Sequence, residues 1–241
     1  MYPSSFDIMI PTPNLYIIIT SGGSGQRMGT ATPKQFLPVE GIPILCRTFR
    51  AFEPWAGKAK FIVTLPADHI TTWKSIDEQY CLPSHEICMG GETRFHSVKH
   101  GLEHVPEDDN AIVLVHDGVR PLVLEETINE AILTAQQYGS AIPYVPITAS
   151  LRRLATDGTS KAVDRNGIVQ IQTPQAFNAK LLKEAYQQDY RPEFTDDSTV
   201  YEAAGHKLFF FEDSDTNIKI TTPSDIAKAS FLLKCKNACH E

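Results

Sequence analysis

The chain has 241 residues, with 22 Lys and Arg against 29 Asp and Glu, a formal charge of −7. That length suits one α/β core with an appendage, and the acidic balance argues against nucleic-acid binding through a broad basic surface. No apolar run approaches the roughly 20 residues of a membrane helix and no basic-then-apolar leader opens the chain, so a cytoplasmic protein without membrane or nucleic-acid partners is expected.

Residues 1–14 hold three prolines and little periodicity, which predicts an irregular extension before a single domain over 15–241. The first apolar strand, Leu15–Thr20, runs into Ser21-Gly22-Gly23-Ser24-Gly25-Gln26-Arg27-Met28-Gly29 and then Pro33-Lys34-Gln35-Phe36. Glycines after a strand turn backbone N–H groups inward, Arg27 can fork two phosphate oxygens, and Lys34 adds a point charge, so the loop reads as a triphosphate grip. Its spacing excludes the common alternatives. Gly29 is followed by Thr30 and Ala31 rather than Lys-Ser/Thr, so it is no P-loop, and Pro33 is misplaced inside the helix that a dinucleotide fingerprint opens.

Further strands are expected at Lys60–Leu65, Glu86–Met89, Ala111–Val115, Ala141–Val145 and Lys207–Phe211. Helices are expected between them at Ile44–Phe52, Ala67–Tyr80, Arg94–His104, Leu124–Tyr138, Ala179–Gln188 and Ser198–Ala204. This alternation predicts a mostly parallel twisted sheet with helices on both faces and ligands at the strand C-terminal ends. Two more polar loops follow strands there. Gly90-Gly91-Glu92-Thr93-Arg94 opens a helix, and His116-Asp117-Gly118-Val119-Arg120-Pro121 pairs a carboxylate with a cation. The first suits either a capped turn or an anion at a helix N-terminus; in the second, Asp117 suits a structural ion pair, a divalent metal or substrate hydroxyls. His116 reads as structural.

Between Pro146 and Pro174 the alternation breaks, and Thr156-Asp157-Gly158-Thr159 signals a hairpin arm. An isolated hairpin needs a surface to pack on, and a second subunit would supply one. Thr195-Asp196-Asp197-Ser198 reads as a helix cap. Asn217-Ile218-Lys219 reads as the end of a strand before a helix opened by Pro223. Five scattered cysteines fit small apolar fillers in a reducing compartment, and Cys235, Cys239 and His240 lack the further ligands that zinc would need.

The run from Arg27-Met28-Gly29 to Pro33-Lys34-Gln35-Phe36, followed in order by Gly91-Glu92-Thr93-Arg94, His116-Asp117, Thr195-Asp196-Asp197 and Asn217-Ile218-Lys219, resembles the sugar-phosphate nucleotidyltransferases. Within them it is similar to the cytidylyltransferases acting on polyol phosphates. The resemblance implies a Rossmann-like fold and transfer of CMP from CTP to a polyol phosphate with release of pyrophosphate. Its motifs sit closer to the methylerythritol phosphate branch than to the ribitol phosphate branch; a noncatalytic nucleotide sensor on the same fold is the remaining alternative.

The resemblance also implies roles. Arg27, Lys34 and Lys219 would be catalytic. Ser21, Gly22, Gly23, Ser24, Gly25, Gly91, Glu92, Arg94, Ser97 and Asp117 would bind CTP, with Glu92 standing where Asp is common. Asp117, Arg120 and Thr195 would meet the acceptor, as would Ser150 and Arg165, reaching from the arm of a homodimer partner. Mg²⁺ is expected alongside CTP, its protein ligands unassigned. Relatives often carry Ala at positions 118 and 119, so Gly118 and Val119 read as tolerated small substitutions.

Overall fold

The computed structural model describes residues 13–22 and 32–238, leaving Gly23, Ser24, Gly25, Arg27, Cys239 and His240 outside the described residues. The strands are β1 Asn14–Thr20, β2 Pro38–Val39, β3 Ile42–Pro43, β4 Ala59–Leu65, β5 His85–Met89, β6 Ala111–Asp117, β7 Ser140–Pro146, β8 Leu151–Leu154, β9 Ser160–Val163, β10 Val169–Ile171, β11 Gln175–Asn178 and β12 Phe210–Glu212. The helices are α1 Ile44–Ala51, α2 Ile70–Tyr80, α3 Arg94–Glu103, α4 Glu125–Tyr138, α5 Ala179–Ala185, α6 Asp197–Ala203 and α7 Pro223–Ala238.

The sheet runs β10-β7-β11-β6-β1-β4-β5, with β12 alongside β7. The β6-β1-β4-β5 half is parallel, whereas β11 runs antiparallel to both β6 and β7. Continuous apolar β1 and β6 occupy the middle because strands covered on both faces have no solvent side to make polar. Along β1, Leu15, Ile17 and Ile19 pack with Phe49, Trp73 and Ile128 on one face. Tyr16 and Ile18 pack with Phe95, Val98 and Tyr201 on the other.

This order puts a topological switch between β1 and β6, the crevice where open α/β sheets hold ligands. The loop starts are tied to that edge by continued ladder bonds: Ser21 N–H donates to Thr64 O at 3.0 Å, Gly90 N–H to Leu65 O at 2.7 Å and Gly118 N–H to Thr20 O at 2.8 Å. Thr20 is the register partner of Asp117.

Several expectations are corrected. Residues 217–222 form no strand; Ile220 N–H instead donates to Val119 O at 2.9 Å, clamping this loop against the loop that follows β6. The polar segment containing Gln172 and Gln175 enters the sheet, although no strand was expected there. Cys46 and Cys88 are buried fillers, but Cys81 and Cys235 are exposed. A Cβ at Gly118 would stand 2.9 Å from Leu45 Cδ1 and 3.0 Å from Thr20 O, so Ala there needs a small local shift. The expected hairpin is present as β8 paired with β9, a separate two-stranded sheet.

Candidate active site

Two cavities meet at the ends of β1 and β6. One, about 240 Å³, is lined by Ser21, Gly22, Lys34, Glu92, Arg94 and Ser97; the other, about 330 Å³, by Arg120, Gln172, Thr173, Gln175 and Thr195. Arg94, Asp117 and Lys219 line both. The cleft is therefore two-lobed, with a charged partition.

Asp117 forms that partition. Its Oδ2 lies 2.9 Å from Lys219 Nζ and 3.3 Å from Arg120 Nε, and its Oδ1 lies 3.5 Å from Arg94 Nε. Burial alone would raise the carboxyl pKa, but Lys219, Arg94 and Arg120 outweigh it and hold the group well below the usual carboxylate range. Arg94 is in turn gripped bidentately by fully buried Asp197, at 2.9 and 2.7 Å, and Tyr186 OH donates to the same carboxylate at 2.7 Å. Burial opposes the Arg94 charge, yet Asp197 and Asp117 raise its pKa well above the ordinary value. With Arg94 neutralised by Asp197, Arg120 and Lys219 outnumber Asp117 at the partition itself, while Glu92 lines the smaller lobe and Asp196 the larger.

Local sequence explains the placements. Thr93 caps α3, its Oγ1 accepting from His96 N–H, so Arg94 opens the helix. Gly91 has no room for a side chain, because a Cβ would lie 2.3 Å from His96 Cβ. Gln35 is buried and donates to Ser21 O at 3.3 Å, anchoring the short turn that brings Lys34 to the smaller lobe. Asp196, one residue after Thr195, caps α6 by accepting from Thr199 N–H in a capping box, while Asp197 is its first helical residue. Buried Asn217 accepts from Arg120 Nη1 through its carbonyl at 2.7 Å and donates from Nδ2 to Thr173 O at 2.8 Å.

His116 is fully buried, and both ring nitrogens are engaged. Its Nε2–H donates to Arg120 O at 3.0 Å, so Nδ1 accepts from Thr173 Oγ1 at 3.0 Å; that hydroxyl in turn accepts from Asp117 N–H at 3.1 Å. Only neutral imidazole satisfies this relay. Burial, against the hydrogen bond to Arg120 O, lowers its pKa to about 4.

Most expected residues thus converge. Ser97 does so differently, because its hydroxyl accepts from Gly91 N–H at 3.1 Å and donates to Thr93 O at 3.0 Å, bracing the loop. Ser150 and Arg165 lie on the exposed arm and line neither lobe; Arg165 is bonded back to Thr148 O. Asp197, Tyr186, Thr173 and Asn217 were not singled out as site residues. A helix-start Asp reads as a cap, and nothing local in the chain reveals a guanidinium 103 positions away. Ser21 Oγ is buried without a partner among the described residues, which suits a ligand hydroxyl or phosphate.

The described residues contain no cluster of three metal-ligating side chains. Asp117, the carboxylate common to both lobes, already faces three cations. The protein side chains described here therefore do not themselves build a Mg²⁺ site.

A parallel-sheet crevice with a glycine-bearing loop, convergent cations and two adjoining lobes defines a nucleotidyltransferase-type site. The family profile for 2-C-methyl-D-erythritol 4-phosphate cytidylyltransferase matches residues 15–235. An enzyme of that name from Phocaeicola vulgatus is 44% identical over 221 residues, covering 91% of this chain and 100% of its own. One from Bacteroides fragilis is 44% identical over 217 residues, covering 90% and 98%. A crystal structure of 4-diphosphocytidyl-2C-methyl-D-erythritol synthase from Anaerococcus prevotii superposes with a TM-score of 0.76 at 28% identity, covering 92% of this chain and 99% of that one. The chain belongs to the 2-C-methyl-D-erythritol 4-phosphate cytidylyltransferase family, whose enzymes use CTP.

Proposed function

We propose that the acceptor is 2-C-methyl-D-erythritol 4-phosphate, that CTP occupies the lobe of Ser21, Gly22 and Lys34, and that the acceptor phosphate enters the lobe of Arg120 and Thr195. An acceptor phosphate oxygen attacks the α-phosphorus; the new O–P bond forms as the bond to the β-phosphate oxygen breaks, and pyrophosphate leaves. The attacking phosphate is already ionised, so the step needs no general base, in keeping with a neutral, fully engaged His116. Catalysis then consists of alignment and charge neutralisation. Lys219 and Lys34 supply cations, joined by Arg27 from the glycine loop. Asp117 holds Lys219 at the boundary of donor and acceptor, where charge develops. Mg²⁺ carried on the phosphates of CTP would screen their mutual repulsion.

The observation that carries this reading is the shared partition: Lys219 and Asp117, paired at 2.9 Å, line both lobes, so one cation can reach both reacting phosphates. Ser150 and Arg165 complete the acceptor lobe from a partner subunit. Pyrophosphate release measured with CTP, Mg²⁺ and either methylerythritol 4-phosphate or ribitol 5-phosphate tests the assignment. Preference for methylerythritol phosphate is expected; silence with both would remove the catalytic reading. Lys219→Ala should lower kcat by about 100-fold, the scale of losing one preorganised electrostatic group, and near wild-type turnover would refute its role.

A further inference from the structure

Behind the loop that follows β6 lies another cavity, about 620 Å³, in the size range that encloses a small organic ligand. Its floor is apolar, made by Leu122 and Val123 of that loop, Leu232 and Leu233 of α7, and Ala51 at the end of α1. Arg47, Arg50 and Lys236 also line it, against the single carboxylate of Glu125. This local positive surplus runs against the −7 charge of the chain.

The cations are only partly engaged. Arg47 donates from Nε to Val39 O at 2.7 Å and from Nη2 to Glu40 O at 3.0 Å, and no hydrogen bond among the described residues uses its Nη1. Burial lowers the Arg47 pKa, and neighbouring Arg50 pushes the same way; Glu40 offsets this in part while held by Ser230 and Lys234. Arg50 lies over the Tyr80 ring, 5.8 Å from its centre. Two guanidinium groups beside an aliphatic floor match a molecule with a charged head and a hydrocarbon body.

We propose that this cavity binds an amphipathic anion, its apolar chain on Leu122, Leu232 and Leu233 and its phosphate or carboxylate head at Arg47, Arg50 and Lys236. Its walls are shared with the active centre. Pro121 directly follows Arg120, while Ser214 and Thr216 line the cavity in the turn whose Asn217 carbonyl receives Arg120 Nη1 at 2.7 Å. Occupancy therefore changes acceptor affinity more than CTP affinity. That coupling rests on the acceptor role proposed for Arg120, whereas binding itself does not.

Calorimetric titration with octyl phosphate, octanoate, octanol and inorganic phosphate, each below micelle-forming concentration and with CTP present to fill the nucleotide lobe, tests the site. One site per chain is expected for at least one amphipathic anion, with octanol binding at least about tenfold more weakly for want of a charged contact and inorganic phosphate at least about tenfold more weakly for want of the buried hydrocarbon. Arg50→Gln should weaken the anion by about tenfold without lowering the melting temperature, and Ala51→Leu should weaken it by filling the floor. Absence of anion binding, binding that CTP abolishes, or binding indifferent to both substitutions would overturn the proposal. If pyrophosphate release is normal while no anion binds, this inference alone fails; if anions bind to a chain that releases no pyrophosphate, the catalytic reading alone fails.

Discussion

Asp197 shows how a residue that never touches solvent can govern an active-site surface. It is fully buried, and Arg94 and Tyr186 OH fill its oxygens. Asp197→Asn would leave the partly buried Arg94 guanidinium short of its counter-charge. Breaking one side of such a pair costs about 3 kcal/mol or more, which urea unfolding would register, and KM for CTP should rise as Arg94 swings away. Unchanged unfolding would mean that the pair is compensated elsewhere. His116 gives a second residue-scale prediction. Its pKa falls from 6.5 to about 4 on folding because burial disfavours the imidazolium, so below pH 6.5 the unfolded chain takes up a proton that the folded chain refuses. Stability present above pH 6.5 is lost as pH falls toward 4. His116→Gln keeps a donor and an acceptor but cannot titrate, so the stability advantage of wild type should shrink by about 2 kcal/mol between pH 7 and 5. A constant gap in urea midpoints would show that His116 titrates normally. The sequence placed this histidine correctly as structural, yet its two partners were invisible: one is a backbone carbonyl and the other is Thr173, 57 positions away.

At the scale of elements, the β1, β4, β5 and β6 strands and helices α1 to α4 were readable because their apolar spacing repeats over enough residues to reveal a period. The loops after β1, β5 and β6 were equally plain, since Gly and charged residues cluster where the apolar runs stop. β10 and β11 were not. They are short, and the polar residues around their junction are buried by specific bonds, as where Gln175, which opens β11, donates to Asp196 Oδ2 at 2.8 Å and accepts from Ser198 N–H at 2.9 Å. Periodicity carries no trace of such pairings. Gly118 makes the same point, because its neighbours Leu45 and Thr20 lie far away in the chain. Gly118→Ala would turn the Leu45 methyl aside and shift Thr20 O by a few tenths of an ångström, an overpacking that costs about 1 kcal/mol. A lowered melting temperature with a raised KM is expected; an unchanged enzyme would show that α1 yields easily around Leu45.

The arm raises the question of how many chains make one site. β8 and β9 pair with each other outside the main sheet, Leu154 is 76% exposed, and neither Ser150 nor Arg165 reaches either lobe of its own chain. A hairpin this unsupported is marginal alone, and a two-fold exchange would bury its apolar side while delivering Ser150 and Arg165 to the partner's acceptor lobe. Complementation separates this arrangement from an arm that folds back on its own chain. Lys219→Ala damages the cleft and Arg165→Ala damages the arm, so each homodimer would be nearly inactive. In a mixed dimer, one site combines both lesions, but the other pairs an intact cleft with an intact arm. Unfolding and refolding an equimolar mixture makes half of the dimers mixed, so pyrophosphate release should recover to about a quarter of wild type. An arm acting on its own chain would leave every site damaged, and the mixture would stay as inactive as its components.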